Sequence, residues 1–458
     1  MIIRPVDYRL RRRVASLKCV DMPVIPMRYR YAAFRAALGT WALMLLSACQ
    51  NLPLPLEVVT EPLAPAIEAR SFALTDQQDV VGELAVFKTR RGDTLPDIAR
   101  HFGLGYQQIE AANPGIDVWL PAPGSLVTLP VRFVLPDAPR EGLVLNLAAM
   151  RLFHFSGDQT VGTYSIGIGR QGWSTPTGHM RVIEKKENPE WRVPASIRAE
   201  YARKGTPLPA VVPPGPNNPL GTHALRLSRP QYLIHGTNKP YGVGMRISHG
   251  CVRLYPEDIQ TLYPQVSVGV DVNIVDQPHL IGWHRGMLYL EAHPSLQLGD
   301  AALEGHVQRL VTKLKRVARD RAVDIDWDRV QSIVSRARGI PEAVLSGAPG
   351  LDTELAAAVR ATRPRRLFGS PETPPLTRDG WYVQAASFKN ISSARRLSAV
   401  LNHQGPPIPA RWLNSRDSFY RVVAGPFPEE QIARDTAQRI KREFELDPLI
   451  LPPGELRL

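Results

Sequence analysis

The sequence predicts a multidomain chain. A mostly-β, sandwich-type central domain is preceded by a small βααβ module and followed by an α+β module of βαββαβ order. Three observations carry this prediction. At 458 residues the chain exceeds what one core ordinarily holds. Residues 142–277 contain short apolar runs broken by Gly and Pro, without regular helices between them. The 43 prolines suit linkers and loop-rich β structure.

The net charge of +13 is concentrated at the start. Nine Lys/Arg and two Asp fall within residues 1–48, which leaves +6 for the remainder. That balance excludes a strong nucleic-acid signal. Arg28, Arg30 and Arg35 precede the apolar run 36–46, which is too short to span a bilayer, and then Ser47-Ala48-Cys49. Residues 1–48 therefore read as an export signal, of ordinary length if translation starts at Met27 or Met22. Leu46-Ser47-Ala48-Cys49 resembles a bacterial lipobox. That resemblance implies lipidation at Cys49 and, with Gln50 following, an outer-membrane destination on the periplasmic face of a Gram-negative envelope. Residues 49–84 are the anchor and a Pro-rich tether. With Cys19 removed and Cys49 lipidated, Cys251 stands alone, and no disulfide is expected in the mature chain.

Residues 85–132 read as strand, helix, helix, strand. Asp93 or Thr94 caps the first helix, Pro96 is tolerated in its first turn, and Asn113-Pro114 closes the second. The stretch from Phe87 to Pro130 resembles a LysM domain. This implies binding of N-acetylglucosamine-containing glycans in a groove bordered by Gly92, Asp93, Thr94 and Leu95, with Asn113 opposite.

Residues 142–277 carry the chemistry. Ile234 to Leu254 read IHGTNKPYGVGMRISHGCVRL. A thiol attacking a carbonyl needs a base and backbone N–H groups for the oxyanion. His235, His249, Gly250 and Cys251 supply those parts, and the N–H groups of Gly250 and Cys251 are the expected oxyanion donors. A three-ligand zinc site would need a fourth ligand that the neighbourhood lacks. A buried structural thiol suits neither His249 nor Arg253 as a neighbour.

The segment resembles the signature of the YkuD family of L,D-transpeptidases. The resemblance implies that Cys251 is the nucleophile and His235 the base paired with its thiolate. It also implies that the carbonyl of Gly236 orients His235, and that Ser248, His249 and Arg253 shape the pocket or bind a stem-peptide carboxylate. The implied reaction acylates Cys251 with a tetrapeptide stem of peptidoglycan at its diaminopimelate L-centre, releasing D-alanine. The acyl group then passes to an amine, giving a 3→3 cross-link or attachment of a Braun-type lipoprotein lysine. No metal or cofactor is implied. Water as acceptor would make the same site a carboxypeptidase or amidase; a non-catalytic wall-binding scaffold is the remaining alternative.

Residues 278–375 read as a helical extension, with helices near 300–317 and 327–338, followed by a linker from Arg360. Residues 376–453 alternate strand and helix as βαββαβ. The sequences WYVQAASF and FYRVVAGPF resemble a SPOR domain, which implies binding to bare peptidoglycan glycan strands.

Overall fold

The computed structural model describes residues 69–456, apart from 76–77, 158, 204, 206, 297–299, 369, 404–405 and 416. The expectations for the export signal, Cys49 and most of the tether lie outside the described residues. Among the described residues, no helix is long and apolar enough to cross a membrane.

The first module pairs strand Ala85–Lys88 antiparallel with Leu126–Leu129. Between them lie helices α1 (Leu95–His101) and α2 (Tyr106–Ala112). The Thr94 side chain accepts from the Asp97 N–H at 3.2 Å, so this residue starts α1.

In the central domain, nine described strands make one sheet. In spatial order they are Ser71–Ala73, Thr160–Ser165, Arg151–Phe155, Gly142–Asn146, Asp271–Val275, Gly178–Glu187, His223–Leu227, Leu233–His235 and Val252–Arg253. Most neighbours are antiparallel; the joins of 271–275 with 142–146 and of 233–235 with 252–253 are parallel. Alternation along the strands gives the sheet two buried faces. Leu143, Leu145 and Leu152 point into a core with Met180, Leu225, Ile234 and Val252. Val144, Phe153, Phe155 and Val161 point the other way, into the same core as Phe87, Leu95, Ile98 and Ile109 of the first module. The small module is thus fused to the sheet through shared apolar packing.

Arg151 sits inside this seam, fully buried. Its guanidinium donates to the Gly103 carbonyl at 3.2 Å, Gln108 Oε1 at 3.0 Å, Ser165 Oγ at 3.1 Å and Thr163 Oγ1 at 3.2 Å. It lies 3.9 Å from the centre of the Phe133 ring. Two further helices belong to this domain, α3 (Ala195–Arg203) and α4 (Pro256–Leu262). Arg100 of α1 meets Glu257 of α4 with two bonds of 2.9 and 2.8 Å.

The 278–375 stretch corrects the sequence reading. Besides helices α5 (Asp300–Arg321), α6 (Trp327–Arg336) and α7 (Leu351–Ala356), it holds a hairpin, His279–His284 with Met287–Ala292. The strand Glu342–Ala343 joins that hairpin. The supposed linker also returns to the first module. Val359–Arg360 adds a parallel strand beside Ala85, and Leu367 enters the shared core. Its Arg-Pro composition hides two apolar contacts made by single side chains.

The last module has strand order Ala410–Asn414, Tyr420–Phe427, Trp381–Phe388, Leu449–Leu451, all antiparallel. Helices α8 (Ile391–His403) and α9 (Glu430–Phe444) cover Val383, Ala385, Val422 and Ala424. His403 at the end of α8 docks on α1, with Nε2 2.8 Å from Asp97 Oδ1. Burial opposes the His403 charge, but the hydrogen bond and charge of Asp97 outweigh it and raise the pKa above 6.5. The contribution of this contact is therefore complete below about pH 6.5 and is lost as pH rises through the higher folded value. Hydrogen exchange in α8 should speed up on going from pH 6 to pH 9 by more than the intrinsic rate does. His403→Gln should remove that extra increase.

Candidate active site

The two parallel strands at one end of the sheet bring the sequence segment together. Ile234 pairs with Val252 and His235 with Arg253, so the intervening loop 236–251 must double back. This places His235 at the end of one strand and Cys251 just before the next. Both line one cleft, together with Ser248, His249 and Arg253. The outer side of Val252–Arg253 is also occupied: Gly167 and Arg253 exchange two backbone hydrogen bonds of 2.8 Å each.

His235 Nδ1 lies 2.6 Å from the Gly236 carbonyl, which takes the ring proton there and leaves Nε2 as the basic nitrogen. Complete burial, helped by the charge of Arg253, pushes the His235 pKa down to about 3. Burial pushes the Cys251 thiol up, partly offset by the Leu233 N–H and by Arg253. Burial thus disfavours the charged forms of both the His235 imidazole and the Cys251 thiol.

The nucleophile loop is braced from several sides. Gly250 has φ +105, a conformation suited to glycine, and a Cβ there would sit 2.9 Å from the Tyr232 ring. Thr175 Oγ1 donates to the Gly250 carbonyl at 2.8 Å. Ser248 Oγ donates to the Cys251 carbonyl at 2.6 Å and accepts from the Gly250 N–H at 3.1 Å. This corrects the expectation for Gly250, whose N–H turns back onto its own loop. Among the described residues the Cys251 N–H has no acceptor, so it alone of the two expected donors is free for an oxyanion.

Arg253 is half-buried, desolvation lowers its pKa, and no carboxylate pairs with it among the described residues. Its Nε also lacks a partner there. Such a guanidinium is a ready carboxylate receptor. His249 lines the cleft on the side of α3: its Nε2 lies 3.1 Å from Glu200 Oε2, and its ring meets Trp173 edge-on at 5.0 Å.

Three family models match in order: a LysM domain over 87–130, an L,D-transpeptidase catalytic domain over 140–274 and a SPOR domain over 377–452. The chain is 39% identical over 279 residues to the probable L,D-transpeptidase ErfK/SrfK of Salmonella typhimurium, spanning 59% of this chain and 90% of that protein. It is 41% identical over 257 residues to the probable L,D-transpeptidase YcfS of Escherichia coli, covering 55% and 77% respectively. It is 39% identical over 273 residues to YbiS of the same species, covering 58% and 89%. The chain belongs to the L,D-transpeptidase family.

This L,D-transpeptidase carries its LysM module in a covered state. Leu95 is fully buried, and Asn113 is internal, its amide spanning Ile109 and Thr128. Asp93 is gripped by both terminal nitrogens of Arg363. Thr94 Oγ1 lies 3.4 Å from His403, which also meets the Trp119 ring. Of the five residues expected along the glycan groove only Gly92 is exposed; the others cap, pair or pack. The sequence reading missed Arg170, Thr175 and Glu200, which come from distant segments. Asn218 is fully buried, donating to the Pro189 and Pro213 carbonyls while accepting from the Leu220 N–H.

Proposed function

We propose that this L,D-transpeptidase works through Cys251, with His235 as base and the Gly236 carbonyl orienting it. Cys251 Sγ attacks the carbonyl at the diaminopimelate L-centre of a tetrapeptide stem as its proton passes to His235 Nε2. The oxyanion meets the Cys251 N–H. The C–N bond then breaks, and D-alanine leaves with its amine protonated by His235. In the second half, His235 takes a proton from an acceptor amine, which attacks the thioester. A new amide C–N bond forms, the C–S bond breaks and the thiol is restored. Arg253 receives a substrate carboxylate, and Ser248 and His249 hold the shape of the pocket. The acceptor is another diaminopimelate amine, giving a 3→3 cross-link, or a lipoprotein lysine. LysM and SPOR hold the enzyme on peptidoglycan, and a lipid at Cys49 tethers it to the outer membrane from the periplasmic side.

The observation that carries this reading is that His235, at the end of one strand, and Cys251, just before the parallel strand paired with it, line one cleft. The test incubates the chain from Gln50 onward with disaccharide-tetrapeptide, with and without an acceptor amine, and reads products by mass spectrometry. A thioester on Cys251 and an acceptor-dependent dimer are expected; tripeptide alone would make the enzyme a hydrolase.

A further inference from the structure

One wall of the cleft is an excursion, residues 189–221, between the strands Gly178–Glu187 and His223–Leu227. It contains α3 and a short pairing of Trp191–Arg192 with Val211–Val212. Trp191, Ile197, Tyr201 and Val212 line the cleft from this side, facing Cys251 and His235. Val193, Asn218 and Leu220 anchor the ends of the excursion, while within α3 only Ile197 and Glu200 are buried.

Glu200 is the exception to ordinary surface chemistry. Its carboxylate is 11% exposed and accepts from Arg170 Nη2 at 2.6 Å, and its Oε2 lies 3.1 Å from His249 Nε2, which is itself 3.1 Å from Arg170 Nη2. Arg170 belongs to the loop after strand Ile168–Gly169, and its own N–H donates to the Ser248 carbonyl at 3.0 Å. His249 lies two residues before Cys251. One carboxylate on α3 thus meets two side chains of the nucleophile's immediate surroundings. Burying that charge is unfavourable unless it is paired, and Arg170 and His249 both belong to the opposite side of the cleft.

We propose that Glu200 is a positioning residue that clamps the 189–221 wall onto the nucleophile loop and so decides whether the thioester meets an amine or water. The proposal rests on acylation of Cys251. With the clamp closed, the wall fixes the width of the cleft and holds an acceptor amine in line with the thioester carbonyl. With the clamp open, water enters. Its oxygen bonds to the acyl carbon, the C–S bond breaks, and the proton taken by His235 returns to Sγ. The products are a free tripeptide acid and the same thiol enzyme.

The experiment uses the full chain with Glu200→Ala, Glu200→Gln and Arg170→Met, given disaccharide-tetrapeptide with and without an acceptor amine. The ratio of dimer to tripeptide, the rate of Cys251 thioester formation and the unfolding temperature are read for each. Glu200→Ala and Arg170→Met are expected to lower the dimer-to-tripeptide ratio by about tenfold while thioester formation falls by less than about threefold. Glu200→Gln, whose amide oxygen can still accept from both partners, should restore most of the ratio. Where Glu200→Ala fails to fold, Arg170→Met breaks the same clamp from the other side and decides the matter. A wild-type ratio in the folded variants, or an equal loss of thioester formation and transfer, overturns the proposal. A wild-type chain that forms no thioester removes the acylation reading itself, and the clamp's proposed role falls with it.

Discussion

Cys251→Ala is expected to lower transpeptidation by on the order of 10⁴-fold or more, with no thioester detectable. Nothing else at the cleft replaces the lost atom. His235 would have no thiol to deprotonate, and water lacks the thiolate's nucleophilicity. Cys251 is only partly buried and its sulfur makes only weak contacts with main-chain groups, among them 3.5 Å to the Gln231 carbonyl, so the fold should hold. Mass spectrometry of the protein and its products, with the unfolding temperature as control, checks both halves. The wild-type pH profile adds a second test. Because burial holds His235 neutral down to about pH 3, the acid limb of kcat/KM should lie nearer 3 than 6.5. An acid limb near 6.5 would mean that His235 is far better solvated than its burial indicates.

The largest expected effect on stability is at Arg151. Arg151→Ala should cost about 4 kcal/mol, from the cavity left beneath the LysM module and from acceptors that lose a charged donor. Arg151→Met should recover the packing part and leave the rest. The guanidinium joins Gly103 and Gln108 of the LysM module to Thr163 and Ser165 of the sheet. Hydrogen exchange in α2 should therefore rise more than exchange in α9, which lies in the SPOR module. Urea midpoints measure the total. A midpoint unchanged in Arg151→Ala would show that the seam is held by apolar contact alone.

Much of the site was legible because its chemistry is contiguous. A loop of sixteen residues between two paired strands carries His235 at one end and Cys251 at the other, and sequence displays such a loop whole. The residues that brace it were not legible: Arg170, Thr175 and Glu200 lie 81, 76 and 51 positions from Cys251, and no local pattern ties them to it. The hairpin 279–292 did carry a signal. Arg285 and Gly286 both have positive φ, the signature of a two-residue turn between strands. The covered LysM groove is a different case. Gly92-Asp93-Thr94-Leu95 reads correctly as a helix start, but what rests on that start comes from Arg363 and His403, each settled only by the complete fold.

The edge beyond Val252 and Arg253 has a consequence for how a stem peptide is read. Many enzymes that grip extended peptides let the ligand join a sheet as an extra strand, so main-chain bonds supply affinity whatever the side chains. Here Gly167 already takes both main-chain positions of Arg253, and the opposite side belongs to the strand ending at His235. A stem has no vacant ladder to climb beside this arginine. Recognition at this arginine falls to side-chain groups such as its guanidinium rather than to a shared ladder. That is a fitting way to recognise a short branched peptide of mixed L and D residues, whose backbone could not hold a strand's register.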